Sequence, residues 1–267
     1  MSIKIQQLET SRGSFRVGQA GDPAAPALIL SNSLGTVLEM WSPQVADFAA
    51  HYRVICYDTR GHGGSPITEG PYDFAGLGND VLAIMDALDI RQAAFCGVSM
   101  GGHTALWLGR YAAARITAIA VCNSAAKIGT AAAWSERAEA LRAGGSAAMR
   151  KLAETAPERW FTEDFIARQP EVVTEMQEIL AGLDATGYAA CCDALGQSDL
   201  RDEIAAITVP TLVLTGDADP VTTVDEAKEM QAKISGSELA ILPASHISNI
   251  EAAQEFTQTV LEFLGQQ

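Results

Sequence analysis

Positive charge is scarce in this chain. Of its 267 residues, 18 are Lys or Arg and 33 are Asp or Glu, a formal charge of -15 with the histidines neutral. Long-range repulsion at that charge opposes encounter with nucleic acid or an anionic membrane surface, so neither is expected as a partner. Anionic small molecules are disfavoured too, unless cations are gathered locally. Long apolar runs are also missing. No stretch approaches the ~18 uninterrupted apolar residues of a membrane span, and MSIKIQQLETSRG lacks the basic, apolar and small-residue regions of a secretory signal. A cytoplasmic location is expected. Cysteine is sparse: the five present, an odd number, fit reduced thiols better than a disulfide framework. Cys56, Cys96 and Cys122 fall in apolar strand-like runs, where a thiol behaves as a small hydrophobe. Cys191 and Cys192 are adjacent, with no C-x-x-C and no histidine at ligand spacing, so no metal site is expected.

What is present is a 48% hydrophobic composition, enough to bury one large core with a subordinate lobe. Between residues 26 and 122, strand-like runs (PALILSNS, YRVICYD, QAAFCGV, ITAIAVCNS) alternate with amphipathic helical ones. Continuous apolar strands separated by helices predict an α/β fold with a mostly parallel central sheet covered on both faces. The alternation resumes with VPTLVLTGD, a helix over VDEAKEMQAKI, the strand SELAILPA and one terminal helix over NIEAAQEFTQTVLEFLG. At the start, IKIQQLETS and SFRVGQAG predict an antiparallel hairpin. Residues 127–196 carry helical signals and no convincing strand, which predicts a helical cap inserted into a core made of 1–126 and 197–267.

The stretch FCGVSMGGH places Ser99 between Gly97 and Gly101, after an apolar strand and before a helix. This is the G-x-S-x-G pattern of a nucleophile elbow, in which a strained turn lifts the serine off the sheet and flanking glycines avoid clashes. The bland alternative is a small-residue turn that lets a helix pack closely. Serine is a weak nucleophile at neutral pH and needs a positioned base with an acid behind it. Of the four histidines, His246 follows the last predicted strand, where a loop can deliver an imidazole to the sheet's carboxyl edge. His103, one helical turn after Ser99, is a weaker candidate base; His62 and His51 are read as structural. TLVLTGDADP offers Asp217 and Asp219. The order Ser99, Asp219, His246 suits the fold, and the extra residue after the strand gives Asp219 room to turn, leaving Asp217 as a cap of its own turn. Oxyanion donors are expected from the backbone N–H groups of Met100 and of Leu34 in NSLGT.

With these residues in place, the chain resembles the α/β-hydrolase fold throughout. It resembles most narrowly the 3-oxoadipate enol-lactonases, in SNSLGTVLEMW, YDTRGHGGS, FCGVSMGG, the WSER and RWFT segments, and ASHISNIEAA. Asn32-Ser33 stands where many α/β hydrolases have His-Gly, a departure the enol-lactonases share. The resemblance implies a catalytic set of Ser99, Asp219 and His246, oxyanion donors at Leu34 and Met100, and no metal or organic cofactor. It also implies a small anionic lactone as substrate. A carboxylate-bearing ligand needs a cation in the pocket, and Trp134 and Arg137 share one face of the first cap helix. Arg137 is expected to grip the carboxylate and Trp134 to cover the ring. Trp160 and Phe161 are expected either to line the pocket or to pack the cap, and Asp58 and Arg60 to hold their own loop. Two other readings remain open: another cofactor-free hydrolase of this fold (an arylesterase with perhydrolase activity or a carbon–carbon bond hydrolase), and a small-lactone sensor.

Overall fold

The computed structural model describes residues 3–266. Its centre is an eight-stranded sheet of order β1-β2-β4-β3-β5-β6-β7-β8. The strands are β1 (Lys4–Thr10), β2 (Gly13–Ala20), β3 (Ala27–Ser31), β4 (Arg53–Tyr57), β5 (Ala93–Val98), β6 (Ile116–Cys122), β7 (Thr211–Gly216) and β8 (Glu238–Leu242). β1 and β2 form the predicted hairpin, and β2 pairs antiparallel with β4; every other pairing is parallel. β3, β5 and β7 are buried along their whole length, which explains why they read as continuous apolar runs.

Alternate residues of these strands face two separate apolar layers. Leu28, Leu30, Val54, Cys96 and Leu214 pack with α1 (Ser42–Phe48) and, at the chain's end, with Phe256, Val260 and Phe263. Ile29, Ile55, Phe95, Ile119 and Val213 face α2 (Phe74–Ala87), α3 (Met100–Tyr111) and Ala227 and Met230 of the helix between β7 and β8. The strand order reverses between β3 and β5, so the loops leaving their carboxyl ends part there and open a crevice.

Five α-helices lie between β6 and β7: α4 (Ala131–Glu154), α5 (Pro157–Trp160), α6 (Glu163–Arg168), α7 (Pro170–Gly182) and α8 (Ala185–Gln197). Gly145, at φ 52°, breaks α4 where the sequence has Gly-Gly. Thr162 and Asp184 cap the starts of α6 and α8 with their side chains. Trp160, Leu180, Tyr188 and Leu195 from these helices join the apolar cluster on the α1 face of the sheet. After β7 come α9 (Val224–Lys233), α10 (Ser248–Glu251) and α11 (Ala253–Leu264). The single terminal helix expected from periodicity is thus two, interrupted at Ala252 (φ −116°, ψ 51°). α10 stays with the His246 loop, Asn249 holding Met40 and Gln44, while α11 turns its Phe256–Phe263 stripe to the core.

Candidate active site

Ser99 sits between β5 and α3 with φ 57° and ψ −113°, a left-handed conformation unusual for a side chain with a Cβ. Close approach on both sides enforces the turn. A Cβ on Gly97 would lie 2.2 Å from the Gly101 carbonyl, and one on Gly101 would lie 2.2 Å from the Ser31 carbonyl oxygen of β3. The spacing of the two glycines therefore follows from three backbone segments converging under the serine. The Ser99 N–H donates to Cys122 O at 2.8 Å and the Gly101 N–H to Asn32 O at 3.1 Å, pinning the turn to both neighbouring strand ends.

His246 lies in the loop after β8, its Nε2 2.9 Å from Ser99 Oγ. Its Nδ1 is 2.8 Å from Asp219 Oδ2, so the ring is held between hydroxyl and carboxylate. All three residues are almost fully buried. Asp219 Oδ1 accepts the N–H groups of Val221 (2.7 Å) and Thr222 (3.0 Å). Its Oδ2 also accepts from Thr222 Oγ1 (2.8 Å) and Asn123 Nδ2 (3.0 Å). Burial disfavours the charged carboxylate, but His246 and these donors outweigh it and hold the Asp219 pKa below the usual carboxylate range. A fixed carboxylate behind Nδ1 orients the imidazole with Nε2 free to take a proton from Ser99.

Asp217, expected to cap its own turn, does not: its side chain is exposed and makes no hydrogen bond among the described residues. Asp219 is itself the residue that closes the turn, through Val221 and Thr222, so one carboxylate both shapes the loop and supports the histidine. His103 is occupied elsewhere, between Ala125 O (2.8 Å) and Ser198 Oγ (2.7 Å). His62 accepts the Gly35 N–H at 3.0 Å, bracing the loop that carries Leu34. His51 is exposed beyond the end of α1. Asp58 accepts from the Leu38 and Gly64 N–H groups and from Arg16, and Arg60 pairs with Asp80; neither lines the crevice.

A cavity of about 260 Å³ opens above Ser99 and His246. Leu34, Trp134, Arg137, Arg159, Trp160 and Tyr188 are among its walls. Neither the Leu34 nor the Met100 N–H has a hydrogen-bond partner among the described residues, and Met100 begins α3, where amides lack partners within the helix. The volume is below the about 300–1,000 Å³ typical of drug-sized ligands, so the space suits a small molecule. Trp134 is fixed by donating its indole N–H to Ile128 O at 2.6 Å, and the Arg137 guanidinium lies 4.8 Å above its ring. Phe161 is buried, stacks on Phe165 at 4.7 Å and is absent from the cavity wall. A larger groove of about 580 Å³, lined by Met40, Phe165, Met176 and Glu255, contains none of the Ser99 group. No three His, Cys, Asp or Glu side chains are grouped to hold a metal ion among the described residues.

A model of the alpha/beta hydrolase fold matches residues 26–253. The chain belongs to the α/β-hydrolase fold family. Within that family it is 48% identical over 240 residues to 3-oxoadipate enol-lactonase 2 of Acinetobacter baylyi, covering 90% of this chain and 89% of that protein. It is 47% identical over 244 residues to 3-oxoadipate enol-lactonase 1 of the same organism, covering 91% and 90%. The crystal structure of the enol-lactonase from Burkholderia xenovorans superimposes with a TM-score of 0.94 at 42% identity, covering 97% of this chain and 100% of that one. No helix among the described residues of this α/β hydrolase is long and apolar enough to cross a membrane.

Three site residues escaped the sequence reading. Asn123 and Thr222 reach Asp219 from β6 and from the turn after β7, and Arg159 enters the cavity wall from α5. Arg159 lies in the ERWF run already singled out for its aromatics, so a cation beside them was the available signal.

Proposed function

We propose that this α/β hydrolase opens the ring ester of 3-oxoadipate enol-lactone to give 3-oxoadipate, with Ser99 as nucleophile, His246 as base and Asp219 as its orienting acid. The observation that carries the reading is the Ser99–His246–Asp219 hydrogen-bonded chain facing a small cavity that also holds Arg137. The similarity to proteins named as 3-oxoadipate enol-lactonases supports the choice of substrate.

In this reading His246 Nε2 takes the Ser99 proton as Oγ bonds to the lactone carbonyl carbon. The carbonyl electron pair moves to oxygen, and that anion is met by the Leu34 and Met100 N–H groups at the positive end of α3. Collapse of the intermediate breaks the ring C–O bond. The enolate oxygen leaves with the proton held by His246, and the enol tautomerises to the ketone while the acyl group stays on Ser99. Water then attacks the acyl carbon, giving its proton to His246, which returns it to Ser99 as the new carboxylate departs. The helices of 127–196 act as a cap that supplies Trp134, Arg137 and Trp160 to the substrate's far side. Arg137 meets the carboxylate and the indoles cover the ring.

Loss of enol-lactone absorbance, compared with a neutral aryl acetate and with Ser99→Ala, tests the proposal. Rapid lactone loss that needs Ser99 and exceeds ester turnover supports it. An inert lactone beside fast ester cleavage would leave a general esterase, and no Ser99-dependent turnover of either would favour a lactone sensor.

A further inference from the structure

Both guanidinium groups that line the Ser99 cavity stand without an acidic partner among the described residues. Arg12, Arg16, Arg60, Arg115 and Arg142 each hold an aspartate or a glutamate. Arg137 and Arg159 form no ion pair with a carboxylate among the described residues, although the chain has 33 Asp and Glu for 18 Lys and Arg. Arg137 rests on Trp134 and shares the cavity wall with Tyr188. Arg159 donates to Thr155 Oγ1 at 3.2 Å and keeps the rest of its fork unused. We infer that Arg159 is the second arm of a carboxylate clamp, with Arg137 the first, and that the pair sets the preference of this cavity for carboxylated over neutral esters. The inference deepens the proposed lactonase reading and rests on it for its kinetic consequence.

The electrostatics favour an anion between the two arms. Burial, and then the neighbouring Arg137 charge, hold the Arg159 pKa below the usual guanidinium range. Two like charges held together repel, and a carboxylate placed between them relieves that repulsion while accepting charge-assisted hydrogen bonds from both. The two cations also offset locally the repulsion that an anion meets from a protein with a net charge of -15.

The segment that carries Arg159 is also fastened to the catalytic loop. Ile247 donates its N–H to Trp160 O at 3.0 Å, directly beside His246. Glu251 accepts from the Thr162 N–H and hydroxyl with one oxygen and from the Ser245 N–H, at 2.8 Å, with the other. The residues on either side of His246 are thus tied to the residues that follow Arg159. The separation between the clamp and the Ser99–His246 pair is set by hydrogen bonds, so the cavity selects how far a carboxylate stands from the ester carbonyl. An acetate-length arm on a five-membered lactone satisfies one such separation; an ester without a carboxylate leaves both arginines unpaired.

Adipate, the six-carbon skeleton of the proposed product without its ketone, probes the clamp with no need for turnover. Calorimetric titration of adipate into Ser99→Ala protein should show binding, and adding Arg159→Gln should weaken it about tenfold or more, as expected for loss of hydrogen bonds to a charged group. Arg159→Lys should recover part of the loss. In the protein with Ser99 intact, Arg159→Gln should lower the ratio of kcat/KM for the carboxylated lactone to kcat/KM for an aryl acetate by at least a similar factor. Absence of adipate binding, or an affinity within twofold of the parent in a normally melting Arg159→Gln variant, would overturn the clamp. Arg159-dependent adipate binding in a protein that hydrolyses neither ester would keep the clamp and reject the lactonase reading.

Discussion

Replacing Asn123 with alanine tests how the acid of the site is supported. Asn123 is fully buried at the end of β6 and occupies φ 44°. Its amide donates to Asp219 Oδ2 (3.0 Å) and Ser245 O (3.1 Å), and its carbonyl oxygen accepts from Ser248 Oγ. Alanine removes all three contacts, leaving the Ser245 carbonyl and the Ser248 hydroxyl without these partners inside the protein, at about 1–3 kcal/mol for each group left unpaired. The left-handed backbone adds about 1 kcal/mol, because alanine tolerates it less well than asparagine. A net loss of about 3 kcal/mol or more is expected, lowering the melting temperature by about 6–12 °C. The kinetic consequence has a separate signature. Asp219 accepts five hydrogen bonds, counting that from His246, and loses one of them. Its charged form is then less favoured and its pKa rises, and the carboxylate that orients His246 is held less firmly, so the maximum of kcat/KM falls about tenfold. Thermal melting and kcat/KM measure the two effects. A variant that melts within 2 °C of the parent and keeps its kcat/KM would refute the reasoning.

Gly101→Ala forces a methyl group to within 2.2 Å of the Ser31 carbonyl oxygen. The elbow must shift by about 1 Å, and a fall in kcat/KM of about 100-fold is expected; retention of activity within threefold would contradict the close-approach argument. Acid stability should follow the two buried histidines. Burial pushes both His62 and His103 down to about 4, against about 6.5 in an unfolded chain. As pH falls, the unfolded chain protonates first, so the stability they contribute is complete above about pH 6.5 and lost on the way to pH 4, about 3 kcal/mol for each. Urea midpoints across that range report the loss, and a flat profile would refute it.

The parts of the site legible in the sequence were those encoded locally. Gly97, Ser99 and Gly101 announce a strand-to-helix turn because the clash that demands glycine arises within a few residues and one neighbouring strand end. His246 and Asp219 were legible because each follows an apolar strand, and in a parallel sheet the carboxyl ends of the strands lie on one edge. Asn123 gave no such signal: its partners are 96 and 122 residues away, and a polar residue after a strand looks the same whether it caps a turn or supports a carboxylate. The division of labour between Asp217 and Asp219 depended on which carboxylate could accept from the Val221 and Thr222 N–H groups that follow it, a matter of loop geometry. The break at Ala252 has neither glycine nor proline to mark it. Arg159 was hidden by its context, since only the position of α5 against the His246 loop turns that side chain toward Ser99.

The measurement that reaches the central claim most directly is mass spectrometry of rapidly quenched protein during turnover of 3-oxoadipate enol-lactone. The account predicts a transient adduct of the lactone's full mass on the peptide containing Ser99, absent in Ser99→Ala, which also fails to consume the lactone. Fast lactone consumption by both proteins, with no adduct on Ser99, would contradict it.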